Sequence, residues 1–268
     1  MQSTELLRRC LLPLLFGVEG LAQPSVEFFP GDKIFPRFRA DALAHQLSLS
    51  KVTDNREWIG AIGGQVPIVN VADGDLTVQF GIGASVFNRI IKTSGHITVF
   101  TVDYRVDFPV DVKLKEIVLR IGYGHISNHY ADDGIEILQR RSINAVKDYI
   151  QVGVARAVGI IAGEVYAAAL YNYHTEPLPD RRWVLQAGGG FGNTSLASWL
   201  WIYGAIDLKL KEEVNWGSTQ SYQVGFRFVP RAEYALRLAY TFRTGFEERG
   251  QLYNQSVAAS LISLFIDF

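Results

Sequence analysis

The 268-residue sequence contains a single cysteine, Cys10, and places it near the start. The remainder of the chain has no disulfide, no thiolate metal site and no cysteine nucleophile. Net charge is also missing. Lys and Arg number 26 against 27 Asp and Glu, leaving -1 at pH 7, so there is no broad electrostatic attraction for nucleic acid. After the first residues no uninterrupted apolar run approaches the ~20 residues of a membrane-spanning helix. Disorder is excluded for the opposite reason, because 48% of the chain is apolar and 12% aromatic. Apolar residues are therefore abundant but dispersed, as alternation makes them.

The opening segment reads as an export signal. Arg8 and Arg9 precede Leu11, Leu12, Leu14, Leu15 and Phe16, and Gly20-Leu21-Ala22 offers small residues for cleavage. The expected division is a signal peptide over 1–22, an N-terminal arm over 23–41 and a barrel over 42–268. Cys10 falls inside the signal, so the exported chain carries no thiol. The arm runs through Glu27-Phe28-Phe29-Pro30-Gly31-Asp32 and Phe35-Pro36-Arg37-Phe38-Arg39 without alternation. Either a periplasmic arm or a plug in the lumen mouth fits that composition.

From there a period of two takes over. Leu76, Val78, Phe80, Ile82, Ala84 and Val86 alternate with Thr77, Gln79, Gly81, Gly83 and Ser85, and Leu236, Leu238, Tyr240 and Phe242 alternate with Arg237, Ala239, Thr241 and Arg243. Such a period sets each series on one face of a strand. Similar segments recur about twelve times, punctuated by turns such as Asp73-Gly74-Asp75. Most exceed the five or six residues usual in soluble sheets and match the ~9–11 of a strand tilted across a bilayer. The second face mixes Gly, Ala, Ser and Gln with Asp103, Arg105, Asp107, Arg120, Glu164 and Arg237, as a crowded polar lumen would. A spanning sheet must close to satisfy its backbone without water. The predicted fold is all-β, a closed antiparallel transmembrane β-barrel of about 12 strands. Trp58, Tyr104, Tyr123, Trp199, Trp201, Tyr203 and Trp216 are placed to form its aromatic girdles. The final strand, alternating up to Phe268, resembles the terminal assembly signal of bacterial outer-membrane barrels.

Chemistry-bearing side chains gather in one stretch, His125-Ile126-Ser127-Asn128-His129-Tyr130-Ala131-Asp132-Asp133-Gly134-Ile135-Glu136. With both termini periplasmic, this strand ends at the extracellular rim, and counting by twos from Leu119, Ile121 and Tyr123 turns His125 and Ser127 outward. The run resembles the histidine-x-serine-serine-histidine-leucine-glycine-aspartate-glutamate motif of an uncharacterised family of bacterial outer-membrane proteins. Asn128, Ala131 and Asp133 depart from that motif. Phe38-Arg39-Ala40-Asp41, Val102-Asp103-Tyr104-Arg105-Val106 and the segment 144–151 extend the likeness over most of the chain. That resemblance implies an outer-membrane barrel with no established activity.

His125-x-Ser127-Asn128 is also similar to the motif of outer-membrane lipid A deacylases. This second resemblance implies Ser127 as nucleophile, His125 as its base, Glu136 as the group orienting the imidazole, and Asn128 as an oxyanion donor. Here His129-Tyr130 stands where that family has small residues. His129 and Tyr123 are further candidates for lipid contact. Asp132, Asp133 and Glu136 offer oxygens to calcium, and His125 and His129 nitrogens to a transition metal, but neither spacing is diagnostic. No cofactor is expected. The favoured expectation is a non-catalytic structural or interaction role in the envelope, against outer-membrane lipid, lipopolysaccharide and other outer-membrane proteins. A lipid-ester hydrolase and a narrow pore are the alternatives.

Overall fold

The computed structural model describes residues 24–268 apart from 93, 94, 140, 142, 144, 178–180, 232 and 233. The expected signal peptide, with Cys10, lies outside the described residues. Strands follow in the order β1 (Ser25–Phe28), β2 (Leu47–Val52), β3 (Glu57–Asp73), β4 (Leu76–Lys92), β5 (Ile97–Leu114), β6 (Ile117–Tyr130), β7 (Ala145–Val158), β8 (Gly163–Glu176), β9 (Trp183–Ala197), β10 (Leu200–Lys211), β11 (Gly217–Arg231), β12 (Tyr234–Phe246) and β13 (Ser256–Asp267). A short helix, α1 (Asp132–Leu138), follows β6.

From β2 onward each strand pairs antiparallel with the next, and β13 returns to β2 through pairs such as Leu264↔Leu49. The sheet is thus a closed ring of twelve strands, as the alternation predicts. The strand β1 is additional, adding to the edge of β3 from Ser25↔Ala72 to Phe28↔Val69. The expected barrel begins at residue 42, but its first strand, β2, begins only at Leu47, because the residues before it turn into the lumen, where His45 bonds Ser85 and Asp107.

Alternation divides the two faces sharply. Along β12 the residues Leu236, Leu238, Tyr240 and Phe242 face outward while Arg237, Ala239, Thr241 and Arg243 are buried inside. The outer wall is apolar, with Ile121 62% exposed, and the lumen carries the charge. Inside, Arg120 forms two bonds to Asp111, 2.6 and 2.7 Å long, and Arg237 reaches Asp267 at 2.9 Å. Tyr203, expected in an aromatic girdle, instead points inward at 1% exposure, donating to Gln223. Its strand places it in register with the lumen set. Trp199 and Trp216 do lie on the outside.

The lumen is filled by the chain itself. Residues 30–46 lie within it, with Lys33 and Arg37 donating to the Phe268 carbonyl at one end of the barrel. Phe35 and Phe38 pack with Val118, Ala155 and Tyr166, and the Arg120 guanidinium lies 4.1 Å from the Phe35 ring centre. Polar bonds fix the rest. Lys209 donates to Asp41 at 2.5 Å, Arg105 donates to the Leu43 carbonyl, and His45 bonds both Ser85 and Asp107. Burial acts to raise the Asp41 carboxyl, but Lys209 and Arg105 outweigh it and hold it below its ordinary value. Gly83 makes the His45 contact possible, since a Cβ there would lie 2.5 Å from the imidazole.

Candidate outer-wall site

Strand β6 delivers His125 and Ser127 to the outer wall near the end opposite Phe268, as counting by twos requires. The neighbouring strand β7 presents Val146, Asp148, Ile150, Val152 and Val154 on the same face, and its register sets Asp148 directly across from His125. Their side chains meet: His125 Nδ1 lies 2.7 Å from Asp148 Oδ1. The Tyr123 hydroxyl donates to the same oxygen at 3.2 Å. From β8, His174 Nδ1 takes the other oxygen at 2.9 Å. One carboxylate therefore anchors two imidazoles and a phenol across three strands.

Aromatic rings frame the group. Tyr123 stacks with Phe108 at 6.2 Å between centres and approaches Tyr173 at 6.3 Å. Further up the wall His129 packs edge-on to Tyr104.

The orienting carboxylate differs from the expected one. Glu136 sits exposed on α1, where its backbone oxygen accepts from the Gln139 side-chain amide. Asp148 meets His125 because a cross-strand neighbour reaches a side chain directly, whereas Glu136 lies on the helix that follows β6. Asn128 is displaced too. It is buried, lines the lumen and pairs across from Asp103, so alternation puts it on the opposite face from Ser127. An oxyanion role at the wall is closed to it.

Asp148 was legible in principle, as the charged residue interrupting an apolar outward series. His174 was not. The register shifts between Asp148↔His174 and Tyr149↔Asn172, leaving Tyr173 as an extra residue. That bulge turns His174 outward, where strict counting along β8 would point it inward.

The metal readings find little support. Asp133 accepts the Val99 amide at 3.1 Å, a loop-fixing bond. In the lumen Asp41, Asp207 and Glu248 converge. Lys209 Nζ already lies between two of them, 2.5 Å from Asp41 and 2.7 Å from Glu248, so an internal ammonium fills the position a cation would take.

The outer-wall geometry leaves a specific chemical capacity. Nδ1 of His125 is committed to Asp148, and Nε2, the nitrogen that accepts the nucleophile's proton in serine hydrolases, has no hydrogen-bond partner among the described residues. Ser127 stands at the next outward position of the same strand, two residues or about 6.6 Å of strand rise away. No hydrogen bond joins Ser127 to His125 in the structure; such contacts commonly tighten only around substrate. No family model and no curated protein matches the chain.

Proposed function

We propose that this chain is a bacterial outer-membrane barrel, sealed inside and working on its outer wall, where it hydrolyses an acyl ester of an outer-leaflet lipid of the lipid A type. The observation that carries the reading is the His125–Asp148 bond on the outer face with Ser127 at the adjoining outward position. An apolar wall, a charged lumen and strands of 12 to 18 residues on most of the ring support the bilayer placement. With the termini in the periplasm, the site sits at the outer-leaflet rim.

In this mechanism Ser127 Oγ attacks the ester carbonyl and His125 Nε2 takes its proton. Asp148 holds the ring in the required tautomer and stabilises the imidazolium. The lipid alkoxide leaves with the proton from His125, and water releases the acyl group by the reverse sequence. The test is acyl-chain release from purified lipid A in mixed micelles. Wild type is expected to release fatty acid, Ser127→Ala to release none, and Asp148→Asn to lose at least tenfold in kcat. Identical lipid profiles with wild type and Ser127→Ala would overturn the assignment.

A non-catalytic rim that binds lipopolysaccharide is the second reading. It is favoured by the saturation of Asp148, whose two oxygens are taken by His125, Tyr123 and His174. On that reading Ser127→Ala changes nothing, while Asp148→Ala weakens retention of lipopolysaccharide on the purified barrel.

A further inference from the structure

At the end of the barrel holding Phe268, the plug and the wall enclose an open basin of about 500 Å3. This lies within the ~300–1,000 Å3 usual for small-molecule sites. Its floor is apolar, formed by Phe35, Val118 and Ala155 of one buried cluster. Its walls are basic. Six cations line it, Lys33, Arg37 and Arg39 from the plug, Lys113 and Lys115 from the end of β5 and the following turn, and Arg156 from β7. Three carboxylates oppose them, Asp32, Glu116 and Glu164.

The pairing of these charges leaves a surplus. Arg156 is taken by Glu116 at 3.0 Å, Arg39 faces Glu164 at 3.9 Å, and Arg37 reaches Asp267 outside the basin at 3.0 Å. Lys33 donates to the Phe268 backbone carbonyl at 3.1 Å. Lys113 and Lys115 have no ion pair among the described residues. Burial, with Arg37 beside it, pushes the Lys33 ammonium down to about 8 against the pull of Asp267. A cation so placed gains from an anion. None of this depends on the outer-wall site, which lies at the other end of the ring.

We propose that the basin binds a small organic anion, a phosphate group carried on an apolar body. The phosphate would lie between Lys113 and Lys115, and the body over Phe35 and Val118. Either a free organic phosphate or the head of a phospholipid supplies that chemistry.

Isothermal titration of the full chain in a maltoside detergent at low salt tests it, with three probes: phenyl phosphate, dihexanoyl phosphatidic acid and inorganic phosphate. One organic phosphate is expected to bind saturably, one per chain, at least tenfold tighter than inorganic phosphate, because only it uses the floor. Tighter binding of phenyl phosphate indicates a soluble ligand, and tighter binding of the phosphatidic acid a lipid one. The double variant Lys113→Gln/Lys115→Gln is expected to weaken binding at least tenfold. Lys92→Gln, on another strand's opposite end, leaves it unchanged. Both sites are exposed, and unaltered heat-modifiable migration checks that the variants fold. Absence of saturable binding by either organic phosphate, parity with inorganic phosphate, or full binding by the double variant would each overturn the proposal.

Discussion

Arg120 shows the cost of keeping charge inside the ring. Its guanidinium is clamped by both oxygens of Asp111 and stacked on Phe35, and both members of the pair are buried. Removing one member of such a pair strands the other in a place that water does not reach, a loss of about 3–5 kcal/mol. Asp111→Ala is therefore expected to destabilise the detergent-solubilised barrel by that amount in urea unfolding. Glu116→Ala removes the partner of Arg156 in an exposed pair, and is expected to cost under about 1 kcal/mol. Equal effects from the two would show that burial does not set the value of these pairs. At the same scale Gly83→Val sets two extra methyl carbons and a Cβ against the His45 ring, which already leaves no room for a Cβ. It is expected to displace His45 from Ser85 and Asp107, read as loss of the imidazole's protected resonance in a nuclear magnetic resonance spectrum.

Among the elements, the strands were legible and their irregularities were not. A period of two carried through β4, β6, β11 and β12 fixes which residues face out, so His125, Ser127 and the inward arginines were placed correctly from sequence. Residue type alone misleads at Asn128, which that same period turns inward, and at Tyr203, which shares the lumen face of β10. The bulge at Tyr173 has no sequence signature of its own, because it answers to pairing with β7. Residues 30–46 have no period at all, and their partners Ser85, Asp107 and Lys209 are distant in sequence. The β12–β13 connection is another long-range element. Leu252 and Glu247 are buried in it, Gln251 donates to the carbonyls of Asn128 and Ile143, and Lys211 donates to the Glu247 carbonyl. Burial would raise the Glu247 carboxyl, but Arg249 and Arg243 outweigh it and hold it at about 2, against an ordinary 4.5. A depressed carboxyl contributes its stabilisation in full above the ordinary value and loses it as pH falls toward the depressed one. Loop 247–255 is thus expected to stay docked above about pH 4.5 and loosen between 4.5 and 2. Hydrogen exchange corrected for intrinsic rates checks this, and protection unchanged across that interval would contradict it.

For the whole molecule, ring closure and plug together decide what can pass. Twelve strands enclose a lumen of modest width, and barrels of this size are commonly filled by side chains or plugged. Here both devices operate: arginines project inward from β5, β6 and β12, and residues 30–46 occupy the space between them. The plug is bonded to β4, β5 and β10 through His45 and Asp41, so opening a path means breaking buried polar contacts on several sides at once. The intact chain is therefore expected to be silent in planar bilayers. Deleting residues 24–46 removes β1 and the plug while leaving the twelve-strand ring paired as before, and discrete conductance steps are expected from it. Should the shortened ring not assemble, the double variant Asp41→Ala/His45→Ala, which cuts two of the plug's attachments and keeps its bulk, is expected to flicker open where wild type does not. Conductance from the intact chain, or silence from a folded ring without its plug, would show that something other than residues 30–46 governs passage through the barrel.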